Sequence, residues 1–273
     1  PGCSKVKNNL PDQIIQKKID FVIVNGENAA ESGVGLTEEI CNNLFDCGVD
    51  VITTGNHVWD QKEIMKHIDK ENRLLRPHNL FEPAPGKGFE IYTSKKKLKV
   101  GVLNLMGNVF MKKCENVFSS AQDFLKRYKL KKDFDFLIVD FHGEITSEKN
   151  AMGHLFDGKA SLVIGTHTHV PTNDARILKN GTGYQTDAGM CGDYNSVIGM
   201  DKENSLKRFL KEESIKLFPA SGEVTLSGAI VDCNLETGLA KSIESFIFDG
   251  QLKNYWYWYG GSFTLGRDKT QKR

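Results

Sequence analysis

The stretch "VITTGNHVWD", residues 51–60, decides how the rest of the chain is read. Four strand-forming residues, Val51 to Thr54, run into Gly55. Asn56 and His57 then stand side by side, and a helix is expected from Asp60. A strand that ends in an amide and an imidazole puts two polar groups where the loops of an α/β sheet gather, beyond the carboxyl ends of its strands.

The pattern recurs along the chain. "IDFVIV" (19–24) is followed by Asn25, Gly26, Glu27 and Asn28, "FDFLIVDF" (134–141) by His142, and "ASLVIGT" (160–166) by His167 and His169. These runs are too uniformly apolar to alternate, as expected of buried strands. A further strand is expected at 98–105 and a loop at "PAPGKG", 83–88. Helical patterns lie at 4–19, 37–48, 60–69, 119–131 and 147–156. The second has Thr37 as its cap, Glu38 and Glu39 in its first turn and Gly48 as its stop, and the third has Asp60 as its expected N-cap. The last third ("GYQTDAG", "GEVTLSGAIVDC", "AKSIESFIF") reads as strands that pair without intervening helices. Alternating strands and helices followed by a β-rich end predict an α/β sandwich in one domain, 1–250, with an atypical tail at 251–273 that carries Tyr255, Trp256, Tyr257 and Trp258.

The formal net charge of +1 provides no electrostatic surface for nucleic acid. No apolar run approaches the roughly 18 residues of a membrane span. The six cysteines have no C-x-x-C pair or framework spacing, so they are expected as reduced thiols in a cytoplasmic protein. The composition leaves a homo-oligomer open.

Together the strand tips supply one carboxylate, three amides (Asn25, Asn28 and Asn56) and four imidazoles, donors suited to Mn, Fe or Zn. Glu27, the one carboxylate among them, is the natural bridge between two ions. Two ions about 3.5–4 Å apart hold a hydroxide and clamp a phosphoryl oxygen during in-line displacement. His57, beside Asn56, is expected to stay unligated and to stabilise the transition-state charge or protonate the leaving alkoxide. The two histidines of "THTH" are expected to alternate along an extended segment. Thr166 and Thr168 flank them as hydrogen-bonding candidates, and Asp187 either orients a histidine or caps a turn. His67, His78 and His154 have no ligand-like neighbours and are expected to be structural. Glu144 and Glu148 are expected at a helix start, where acids suit the dipole.

"NGENAA" (25–30), "TTGNHVWD" (53–60), "DFHGEITSEK" (140–149), "GTHTHV" (165–170) and "TDAGMCGDYNSVIGM" (186–200) together resemble the YmdB-like branch of the calcineurin-like metallophosphoesterases, in order and from Pro1 to Asp249. The resemblance implies a four-layer α/β/β/α sandwich around two divalent metal ions, Fe or Mn first and Zn as an alternative. It implies Glu27 as bridge, Asn28 and His169 on one ion, Asn56, His142 and His167 on the other, and His57 as the catalytic histidine. The implied activity is hydrolysis of small, nucleotide-like phosphodiesters such as 2′,3′-cyclic nucleotides, by attack of a metal-bound hydroxide.

The family pattern begins with a strand ending in Gly-Asp, whose aspartate binds the first metal. This sequence begins after that point, so the expectation is an N-terminally truncated domain without its first strand. Such a chain would hold its second metal better than its first and turn over slowly. The alternative function is a catalytically weak metal- or nucleotide-binding regulatory protein. A further one is a binuclear hydrolase of amides or phosphomonoesters.

Overall fold

The computed structural model describes residues 1–212 and 216–252, and the aromatic run 255–258 of the tail lies outside them. Helix α1 (Gly2–Lys17) leads into strand β1 (Ile23–Asn25), helix α2 (Glu38–Asp46) and strand β2 (Val51–Thr53). The Thr37 hydroxyl accepts from the backbone N–H of Ile40, so α2 is capped as its sequence predicts, with Glu38 and Glu39 in the first turn. β1 and β2 pair in parallel, Ile23 opposite Val51.

The helix expected over 60–69 shrinks to the single turn of α3 (Ile64–His67), whose N-cap is Glu63 with no side-chain cap bond. Asp60 does not cap it. Its two carboxylate oxygens are taken by His57 Nδ1 at 2.6 Å and Lys112 Nζ at 3.2 Å.

Strands β3 (Phe89–Thr93) and β4 (Lys99–Met106) form an antiparallel pair. Helix α4 (Val117–Arg127), strand β5 (Phe136–His142), helix α5 (Thr146–Phe156) and strand β6 (Leu162–Thr166) follow. β4, β5 and β6 run parallel, and β7 (Arg176–Ile177) and β8 (Gly183–Gln185) complete a six-stranded sheet in the order β3-β4-β5-β6-β8-β7. Strand β9 (Gly192–Asp193), helix α6 (Lys202–Phe209) and strands β10 (Val224–Cys233) and β11 (Ala240–Phe248) close the described fold, the strands in the order β11-β10-β9.

β3 and α6 carry no clear signature in the sequence. β3 is an edge strand with no fully buried residue, so it lacks a continuous apolar run. α6 buries only Ser205 and offers no apolar stripe to detect.

Four layers stack. α4 and α5 cover the outer face of the six-stranded sheet through Phe124, Phe141, Met152, Phe156 and Tyr184. The inner face meets the two-stranded sheet, where Val100 and Val102 pack with Val51 and Leu75. On the far side of that smaller sheet, Val6 of α1 and Leu44 and Phe45 of α2 pack on Ile52. Neighbouring residues Val51 and Ile52 therefore enter different cores, as the two-residue period of a strand requires. Both are 0% exposed, and each such side chain contributes about 1.5–3 kcal/mol of transfer free energy.

The polar tips thus come from two sheets, β1 and β2 in one and β5 and β6 in the other, and not from a single crevice of one open sheet. The reason is the facing arrangement itself, which brings the carboxyl ends of both sheets to a common rim.

Candidate metal centre

Glu27 lies just past β1 and is 2% exposed, and His142 ends β5 at 1%. Their approach is close, with Glu27 Oε2 3.0 Å from His142 Nε2. Two more groups reach the same imidazole nitrogen: Asn56 Oδ1 at 3.0 Å and His167 Nδ1 at 3.1 Å. Ligand atoms of Glu27, His142 and His167 all lie within 4.8 Å of one another. Beside this group, Asn28 Nδ2 is 3.3 Å from His169 Nε2 and 3.5 Å from Glu27 Oε2. The structure therefore brings Glu27, Asn28, Asn56, His142, His167 and His169 to one place, with Glu27 between the two subsets.

Gly55 makes the approach feasible. A Cβ at this position would lie 2.2 Å from His142 Nε2 and 2.5 Å from Glu27 Oε1. The residue before Asn56 has to be glycine because a carboxylate and an imidazole already fill the space.

The tautomer of His142 follows from its other nitrogen. Nδ1 lies 3.0 Å from Thr166 Oγ1, and that hydroxyl donates to Asp140 Oδ1 at 2.7 Å. Asp140 is otherwise ringed by donors, Asn25 Nδ2 at 3.0 Å and Thr53 Oγ1 at 2.5 Å. Thr166 has one proton and gives it to Asp140, so it accepts from Nδ1–H of His142 and leaves Nε2 with its lone pair. Burial holds the Asp140 carboxyl above its ordinary range, against the pull of Asn25, Thr53, His142 and Thr166. Burial also pushes Glu27 up, but the charge that His142 takes on when Nε2 is protonated, and the backbone N–H of His57, which donates to Oε1 at 2.9 Å, bring it down to about 2. Glu27 is an anion at any working pH. His167 is brought down to about 4 by burial and by His142, so it is neutral near pH 7.

The "THTH" segment is not extended. His167 and His169 have φ values of 99° and 66°, a left-handed region that non-glycine residues rarely occupy. A buried ion pair holds the turn. Lys149 Nζ lies 2.6 Å from Asp187 Oδ2, both are at most 1% exposed, and Asp187 also accepts from the N–H and hydroxyl of Thr168. Asp187 thus grips the residue between the two histidines and touches neither imidazole. His169 Nδ1 lies 2.7 Å from the Ile198 carbonyl, which sets that ring as well.

His57 stands at the rim, 31% exposed, with Nδ1 held by Asp60. The three histidines expected to be structural stay away from the cluster: His67 faces Glu38, His78 packs edge-on to Phe124, and His154 is on the exposed side of α5. Glu148 is in the first turn of α5, as expected. Glu144 is not: it precedes the helix and sets Oε2 3.1 Å from His167 Nε2. Asp140 is a polar partner that the sequence did not single out, and Asp60 and Glu144, expected at helix starts, hold His57 and His167 instead. The motif "DFHGE" carries two of them, and a carboxylate two residues either side of a ligand-like histidine is the signal that could have found them.

Facing sheets whose strand tips join a carboxylate, two amides and several imidazoles define the metallophosphoesterase class. A family model narrows this: it matches residues 1–246 and describes a YmdB-like protein, and the chain belongs to that family. A 2′,3′-cyclic-nucleotide 2′-phosphodiesterase of Bacillus subtilis is 43% identical over 249 residues, 91% of this chain and 93% of that protein. Among solved structures, a novel phosphatase from Mycoplasma pneumoniae has a TM-score of 0.84 at 34% identity, covering 94% of this chain and 92% of its own. A hypothetical protein from Thermus thermophilus has a TM-score of 0.83 at 37% identity, covering 92% and 95%. Among the described residues, no helix is long and apolar enough to cross a membrane.

Proposed function

We propose that this chain is a metal-dependent phosphodiesterase that hydrolyses small phosphodiesters, with 2′,3′-cyclic nucleotides as the substrate class. One observation carries the reading. The lone pair on Nε2 of His142 faces Glu27 Oε2, Asn56 Oδ1 and His167 Nδ1 at 3.0–3.1 Å. These are acceptor atoms turned on one another in a buried space, which a cation relieves. A second feature points the same way: Asn28 Oδ1 is buried without a hydrogen-bond partner among the described residues. Glu27, Asn56, His142 and His167 would hold one cation, and Asn28 and His169 a second, with Glu27 shared between them. The N/O donor set suits Fe or Mn, with Zn an alternative.

Bound there, a cation pair supplies charge neutralisation at a phosphoryl oxygen and acidifies water. The remaining chemistry belongs to the chain. Asp60 fixes the Nδ1–H tautomer of His57, so the other ring nitrogen is the one that faces substrate. Protonated, it donates to the leaving alkoxide oxygen as the ester bond breaks. The backbone N–H of His57 holds Glu27 at the same time, so metal bridge and proton donor share a short segment of chain. Six free cysteines support a reducing, cytoplasmic setting.

The test is hydrolysis of bis-p-nitrophenyl phosphate and of adenosine 2′,3′-cyclic phosphate by protein loaded with Mn or Fe. His57→Ala is expected to lower kcat by about 10²–10⁴-fold with metal content, read by mass spectrometry, unchanged. Nucleotide binding without turnover at saturating metal would replace the enzyme with a binding protein.

A further inference from the structure

The segment from Gly107 to Glu115 joins two parts of the centre. At its start, the Gly107 N–H donates to the carbonyl of His142 at 2.9 Å. Further along, Lys112 Nζ reaches Asp60 at 3.2 Å, and Asp60 is the carboxylate that holds His57. The base of the loop is tied off by Asn108, whose Nδ2 donates to the Glu115 carbonyl at 3.0 Å and whose Oδ1 accepts from Val117 N–H at 2.9 Å. Glu148, from the first turn of α5, accepts from the N–H groups of Asn108 and Val109.

Between these anchors stands Phe110. It is 86% exposed, its neighbour Val109 is 41% exposed, and its φ is 63°. A bulky side chain in the left-handed region is costly, and an exposed phenylalanine recovers none of that cost through burial. A loop pinned at both ends has nonetheless placed an aromatic ring in water, within two residues of the lysine that reaches the His57–Asp60 pair.

Resting on the phosphodiesterase reading above, we infer that Phe110 is the stacking platform for the nucleobase of the substrate. Every base has a π-face, so an aromatic ring binds nucleosides without reading their identity. The inferred specificity is for a phosphodiester with a base attached, with weak discrimination among bases. Lys112, spanning from the same loop to Asp60, couples platform to proton donor.

The experiment compares adenosine 2′,3′-cyclic phosphate with the base-free glycerol 1,2-cyclic phosphate on metal-loaded protein, product being read by phosphorus NMR. Phe110→Ala is expected to raise KM for the nucleoside substrate and to cut the ratio of kcat/KM between the two substrates by about tenfold, the size of a lost base–aromatic contact. Phe110→Tyr, which keeps the ring, is expected to retain the ratio. An unchanged ratio in Phe110→Ala, or an equal fall in Phe110→Tyr, overturns the assignment. If the unaltered protein hydrolyses neither compound, the phosphodiesterase reading fails on its own. Calorimetric binding of adenosine 3′-monophosphate then decides Phe110: weaker binding by about tenfold in Phe110→Ala supports it, and equal binding overturns it.

Discussion

Glu144 sets a carboxylate oxygen 3.1 Å from Nε2 of His167, while the other nitrogen of that ring faces His142 at 3.1 Å. One imidazole is thus held from outside the cluster and offered to its inside. A carboxylate in this position fixes the tautomer and raises the basicity of a ligand histidine.

Glu144→Gln removes that support and leaves the donor set intact. Metal affinity is expected to fall about 10–100-fold. Competition against a fluorescent chelator measures it, and an unchanged affinity would show that Glu144 serves solubility alone.

Gly55→Ala forces a methyl group to within 2.2 Å of His142 Nε2. Either His142 or Glu27 has to leave the cluster. Metal binding and turnover are expected to be lost, while circular dichroism at 25 °C stays close to the unaltered protein because the clash is local.

Lys149→Met leaves Asp187 buried without its cation. Breaking one half of a buried pair costs about 3–5 kcal/mol. Asp187 keeps the N–H of Thr168 and of Gly189, so the lower end is expected. The urea midpoint should fall, and metal affinity with it, because Asp187 grips Thr168 between His167 and His169.

Acid should weaken the metal-free protein in a defined window. His167 is held near 4 by burial and by His142, against about 6.5 in an unfolded chain. Between those values the unfolded state binds the extra proton, so stability is fully present above about 6.5 and falls as pH drops towards 4. His167→Gln is expected to flatten the fall in urea midpoint over that range. It will not abolish it, because burial lowers His78 as well.

The gathering of Glu27, Asn56, His142 and His167 could be read along the chain because apolar strands are contiguous in sequence and their polar tips follow at once. The second half of the site was harder to see. Whether His167 and His169 lie on an extended segment or a left-handed turn depends on Lys149 and Asp187, 38 residues apart and meeting only after folding. Asp60 looked like a helix cap because acids at that position cap helices, yet His57 three residues earlier takes its oxygen. Which of the two sheets β1 and β2 join could not be read from their residues, since apolar strands do not announce which neighbour they pair with. The facing of Val51 towards Val100 and Val102 resolves this only in three dimensions.

Glu27 and Asn56 hang from the smaller sheet, His142 and His167 from the larger. Cations shared among them would rivet the two sheets along one rim, so loading the centre should tighten the whole sandwich, by mass action on the folded state. A chelator would then do more than silence chemistry. It would unfasten the seam, and amide protons at the ends of β1 and β2 should be the first to exchange.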